Sequence, residues 1–163
     1  MAHWRLIFCT LLLLPGACRS NGDPLIETVV VKGTPFVCDV AHTDATRQRG
    51  LMERPVLQEG EGMLFIFPDS AVRSFWMAQC IADIDVAFLD AQGVVTAVHE
   101  MVAESPQGAD ESQWAYETRL FHYSSTLPAQ FAVEMPPGSI ETLRLRPNDI
   151  IKLDLDRLKR MVR

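Results

Sequence analysis

From Ile26 onward the apolar residues fall in short bursts with the two-residue period of a strand, punctuated by Gly, Pro and Asp. Ile26–Lys32 is β-branched and predicts a strand. Phe36–Ala41 predicts a second, with Phe36, Cys38 and Val40 on one face and Val37, Asp39 and Ala41 on the other. Thr43–Arg49 opens with capping residues and loses that alternation, which predicts one or two helical turns ended by Gly50. Pro55 and Gly60-Glu61-Gly62 mark a loop. Met63–Phe67 is continuously apolar, as in a strand buried on both faces, and Pro68 and Asp69 are expected to stop it. Ser74–Ala78 and Ile84–Leu89 predict two more strands, and Asp90-Ala91-Gln92-Gly93 a hairpin turn into Val94–Met101. Ala103–Gln113 is polar and predicts a loop. Gln130–Met135 reads as a strand, Pro136-Pro137-Gly138 as a turn, and Ser139–Leu143 as a single helical turn. Ile150–Leu155 predicts a closing strand that pairs with an early one. Many short strands with few helical residues predict a mostly β fold, a compact antiparallel β-sandwich or barrel-like single domain.

Upstream of Ile26 the pattern is different. His3 and Arg5 precede an apolar run, Leu6–Leu14, which is shorter than the roughly 20 residues that span a bilayer. A charged start, a short apolar middle and small residues at the end predict a secretory signal peptide over residues 1–17. Leu14-Pro15-Gly16-Ala17-Cys18 resembles a bacterial lipobox, in which the Cys becomes lipid-modified and begins the mature chain. Pro15 departs from that pattern, and ordinary signal cleavage nearby is the alternative. Residues 18–25 then form a polar tether, 26–155 the β domain, and 156–163 a tail in the form of a frayed helix. The expected location is the periplasmic face of a bacterial membrane as a lipoprotein, or the periplasm or medium without the lipid.

Composition removes several classes. At 163 residues, with 48% hydrophobic and 22% charged positions, the chain fits one domain and is too apolar for disorder. Its net charge of −6 becomes −7 once Arg5 leaves with the leader. With no dense Lys/Arg block, it is not built as a nucleic-acid backbone binder.

Four segments, taken together, carry a family resemblance. They are Arg49-Gly50-Leu51-Met52-Glu53-Arg54, Gly62-Met63-Leu64-Phe65-Ile66-Phe67, Phe75-Trp76-Met77, and Ile84-Asp85-Val86-Ala87-Phe88-Leu89-Asp90. Tyr123-Ser124-Ser125, Val133-Glu134 and Asn148-Asp149-Ile150-Ile151 follow in the same order. In order and spacing the chain resembles the domain of unknown function 192 family, also called uncharacterised protein family UPF 0127, over about Val29 to Leu153. Gln79-Cys80 stands where that family has Asn-Thr, and Asp83-Ile84 where it has Pro-Leu. The loop from Ala103 to Phe121 is longer. The resemblance implies a small, mostly β fold, often secreted or envelope-attached, and no established reaction.

Several residues are candidates for chemistry. Arg49 and Arg54 flank Gly50-Leu51-Met52, where two guanidiniums bind a carboxylate or phosphate or pair with a structural acid such as Asp85 or Glu53. Gly50 is expected at a left-handed or crowded backbone position. Met52, Met63, Phe65, Phe75, Trp76 and Met77 suit either a pocket lining or ordinary core, with Trp76 the best candidate for a pocket wall. Asp85, between apolar neighbours in a central strand, must be paired or protonated. It is either a perturbed acid in a cleft or a partner of Arg49. Cys38 and Cys80 form a disulfide or remain buried thiols, a bridge adding about 4 kcal/mol in the loop-entropy model. His42, His99 and His122 show no metal-ligand spacing, so no metal site and no cofactor are implied.

These residues support three functions. The first is a binding or accessory module of the cell envelope, taking a small ligand or an envelope protein near Arg49, Arg54, Trp76, Met77 and Asp85, with the membrane reached through Cys18. The second is an envelope enzyme using Asp85 or Cys80. The third is a structural or protein-interaction domain. The first is the leading expectation.

Overall fold

A computed structural model describes residues 25–162. The predicted signal peptide, Cys18 and nearly all of the tether lie outside the described residues. Strand β1 (Ile26–Val31) turns into β2 (Thr34–Ala41) through Lys32 and Gly33, both at positive φ, as a tight hairpin requires. Helix α1 (Asp44–Arg49) starts on a capping box in which Thr43 and Thr46 satisfy each other's backbone N–H. It ends at Gly50, whose φ of +47° and ψ of −129° suit glycine alone.

Strand β3 (Glu61–Ala71) then runs parallel to β2, from Val37 opposite Glu61 to Ala41 opposite Phe65. A parallel neighbour demands a crossover of a dozen residues or more, and residues 42–60 supply it. The remaining elements are β4 (Ser74–Phe75), β5 (Ile84–Leu89), β6 (Val95–Met101), α2 (Gln113–Arg119), β7 (Tyr123–Ser124), β8 (Ala129–Met135), α3 (Ser139–Leu143) and α4 (Leu155–Arg160). Six strands form one sheet in the order β1-β2-β3-β8-β5-β6, and β4 pairs with β7. Two bridges, Val30 to Lys152 and Val94 to Ile150, tie the closing segment to both edges and curl the sheet back on itself.

The chain is therefore a mostly β single domain. Its sheet is mixed, with one parallel pair where antiparallel pairing throughout was expected, and it carries four short helices. The closing segment does meet an early strand, through a single bridge at Lys152. Pro68 and Asp69 do not end β3; they sit in a bulge between Ile66 and Ala71, where a missing N–H is tolerated. Only Ser74 and Phe75 of the predicted strand 74–78 pair, because the chain leaves the sheet to build a wall.

The sheet is buried on both faces. Inside the curl lie Phe36, Cys38, Leu64, Phe131, Val133 and Leu158, among others. Outside it, Phe65, Phe67, Val86, Phe88 and Ala132 pack beneath Leu51, Leu57 and Met77. Double burial explains why Met63–Phe67 reads as a continuous apolar run and why every residue of Ile84–Leu89 is buried. Gly62 lets the strands close up: a Cβ there would stand 2.7 Å from the Glu134 carbonyl and 2.9 Å from Cys38 Sγ.

Candidate functional site

The crossover and the segment after β4 arch over the outer face of β3 and β8 and enclose a cleft of about 340 Å³. Phe65, Phe67 and Glu134 lie on the strand side. Leu51 and Met52 form one wall; Phe75, Trp76 and Met77 form the other. Asp44, Arg47 and Arg49 of α1 stand at the rim. Trp76 is 43% exposed and packs on His122, with ring centroids 5.4 Å apart.

Each wall is fastened. Arg47 donates to the carbonyls of His42 (2.7 Å) and Ile66 (2.9 Å), pairs with Asp44, and sits over the Phe67 ring at 5.7 Å. From the link between β3 and β4, Arg73 covers the same ring at 4.2 Å and pairs with Asp69 at 2.7 Å. The Gln79 N–H donates to Tyr116 Oη at 2.8 Å, and the Glu53 N–H to the Gln79 carbonyl at 2.9 Å. The Trp76–Cys80 wall is thus stitched to α2 on one side and to the crossover on the other. A Cβ on Gly50 would touch the Phe65 ring at 3.4 Å, an ordinary contact, so it is the positive φ and not crowding that calls for glycine there.

Glu134 is the residue that sequence reasoning missed. It is 5% exposed, and its Oε2 has no hydrogen-bond partner. Its strand neighbours are Met63 on β3 and Val86 on β5, neither of which offers a donor side chain. Burial pushes its carboxyl up to about 8, against an opposing pull from the charge of Arg54. Its chain neighbours Val133 and Met135 give only the alternation of a half-buried strand, so no local signal in the sequence marks it. The other unpartnered buried side-chain atom among the described residues is His42 Nδ1, outside the cleft lining.

The predicted residues divide. Arg49, Trp76 and Met77 do line the cleft, as do Met52, Phe65, Phe75 and Cys80. Arg54 does not; it pairs with Asp39 beside a small separate depression. Asp85 is a correction. It lies on the opposite face of the sheet from Glu134, 1% exposed, and accepts the Ile140 N–H at 2.7 Å at the start of α3. Burial raises its pKa, while backbone N–H groups of Ile140, Gly138 and Ser139 oppose the rise. It neither meets Arg49 nor opens to a cleft.

Of the two alternatives for the cysteines, the structure takes the unbridged one. Both are free: Cys38 faces the inside of the curl and Cys80 the outer cluster, so the sheet separates them. Burial, and then the neighbouring Glu134, pushes the Cys80 thiol up to about 12. No histidine lines the cleft beside it. A thiol so held is a poor nucleophile, and both groups proposed for an enzyme are placed badly for that role. Among the described residues no group of three His, Cys, Asp or Glu is arranged to hold a metal.

Fold and site define a class: a small curled β domain with an apolar cleft over a buried carboxyl. The model of the DUF192 family, described as Uncharacterized ACR, matches residues 27–153, and the chain belongs to that family. No curated protein matches it. The fold is similar to a crystal structure of a candidate transcription regulator from Sinorhizobium meliloti 1021, with 20% identity and a TM-score of 0.65 over 82% of this chain and 97% of that one. It is similar also to a protein of unknown function from Novosphingobium aromaticivorans DSM 12444, with 21% identity and a TM-score of 0.63 over 80% and 85% of the two chains. At these identities the likeness is one of fold.

Proposed function

We propose that this domain binds a small ligand in the cleft between α1 and Trp76, as an exported module held at the envelope membrane through Cys18. The observation that carries the binding reading is Glu134: an unpartnered carboxyl buried against an open apolar cleft of about 340 Å³. Such a group is costly to leave unsatisfied, and a ligand that satisfies it is favoured. The volume lies at the lower end of small-molecule sites, and an apolar lining with few polar groups is their usual character. The Phe67 clamps and the Tyr116 brace hold the walls in place before a ligand arrives, which lowers the entropy lost on binding. The location rests on the leader pattern and on Cys18 following small residues.

Thermal-shift screening against fractionated metabolites, followed by native mass spectrometry, tests the binding. A stabilising compound that loses its effect in a folded Trp76→Ala variant is the expected result. Absence of any such compound counts against it. For the location, growth with labelled palmitate should label the wild type and not Cys18→Ser; an unlabelled wild type sinks lipidation.

A further inference from the structure

We propose that this cleft, read as a ligand site, takes a small amphiphilic amine, whose ammonium enters to Glu134 while its apolar chain lies along Phe65, Phe75 and Trp76. The proposal rests on the ligand-binding reading above and assigns the chemical class of the ligand. Glu134 Oε2 is an acceptor without a donor, in a cleft lined largely by aromatic, aliphatic and sulfur side chains. An ammonium supplies the missing N–H together with a charge, which makes the stronger kind of hydrogen bond.

The rings favour the same choice. Aromatic faces are electron-rich and attract cations, and Phe67 already has Arg47 and Arg73 against it. Yet the chain's own nearby cations are engaged or remote from the floor. Arg47 is committed to two carbonyls and Asp44, Arg54 to Asp39, and Arg49 stands exposed at the rim. A carboxylate ligand would meet a second acid at the floor. An alcohol can donate to Glu134 in either protonation state, but it brings no positive charge to offset the ionised carboxylate or to be drawn to the ring faces.

Binding an ammonium requires Glu134 to release its proton to solvent. Since burial holds that proton up to about pH 8, amine affinity rises with pH and levels above that point. The charge that acts on Glu134 is Arg54 from the crossover, and Asp44, Arg47 and Arg49 of α1 line the same cleft. The Trp76–Cys80 wall contributes only the Cys80 thiol, and β3 and β5 contribute Met63 and Val86. None of these residue types ordinarily titrates between pH 6 and 8.

Titration calorimetry of the purified protein with hexylamine, hexan-1-ol and hexanoate at pH 6, 7 and 8 tests this. Hexylamine should bind at least tenfold tighter than the other two at pH 8. Its affinity should rise about 50-fold from pH 6 to 8, as the ionised fraction of Glu134 grows. A folded Glu134→Gln variant should lose both the preference and the slope. Equal or tighter binding of hexan-1-ol or hexanoate, lost in Trp76→Ala, overturns the amine class and leaves the binding reading intact. An amine affinity that is flat with pH in the wild type overturns it without recourse to the variant. Failure of all three probes also overturns it, while the metabolite screen decides the wider reading separately.

Discussion

Replacing Glu134 by Gln removes a carboxyl that the folded domain keeps protonated far above the range where the unfolded chain releases its proton. Between its ordinary value of 4.5 and about 8 the native state holds one proton more than the unfolded state. Stability therefore falls as pH rises through that window. Thermal melts of the wild type should drop from pH 5 to pH 8, and those of Glu134→Gln should drop less. Above pH 8 the variant should be the more stable, by no more than about 5 kcal/mol. Asp85, also raised, acts in the same direction and leaves the variant a residual slope. Identical slopes would show that Glu134 has a partner in solution. The sequence marked Arg49, Trp76 and Met77 for the cleft from their motif. It hid Glu134 because period-two alternation places it opposite Val133, on a face that looks solvated. The cover over that face comes from residues 50–80, far away in the chain.

At the scale of elements, local chemistry decided what could be read. Strand β5, helix α1 and helix α3 fall where their caps, turns and alternation put them. Helix α2 was missed because it buries only Tyr116 among its own residues, too little for a 3.6-residue period to show. Its Ser112 cap, accepting from the Ala115 N–H at 3.2 Å, was the available sign. Tyr116→Phe keeps the ring and deletes the acceptor for the Gln79 N–H. It should lower stability by about 1 kcal/mol in urea titrations and weaken ligand retention, since the Trp76 wall loses its brace. Asp85→Ala should lower stability by about 1–3 kcal/mol through the N–H groups it strands at α3. Ligand retention should stay intact, because Asp85 faces away from the cleft. Loss of retention in a folded Asp85→Ala protein would return that residue to the site.

For the molecule as a whole, closure depends on its end. Ile151 and Leu158 are buried inside the curl, and the bridges at Ile150 and Lys152 join its two edges. Leu158→Ala should cost about 2–5 kcal/mol by equilibrium unfolding, a penalty typical of a large apolar side chain lost from a tight core. The mostly β class was legible from strand count and turn spacing. The parallel pairing of β2 with β3 was not, since nothing local distinguishes a crossover from a hairpin loop with a helical turn in it.

The position of β8 has a consequence for how the chain is made. It is the strand that joins β1-β2-β3 to β5-β6, yet it begins at Ala129. Delivered from its N-terminus, by a ribosome or through a membrane pore, the chain has two separate ribbons of strand and no continuous sheet until its last quarter emerges. Pairings of such long sequence separation are slow to form. The floor carboxyl of the cleft arrives with that same late strand, so no shorter N-terminal product can hold the complete site.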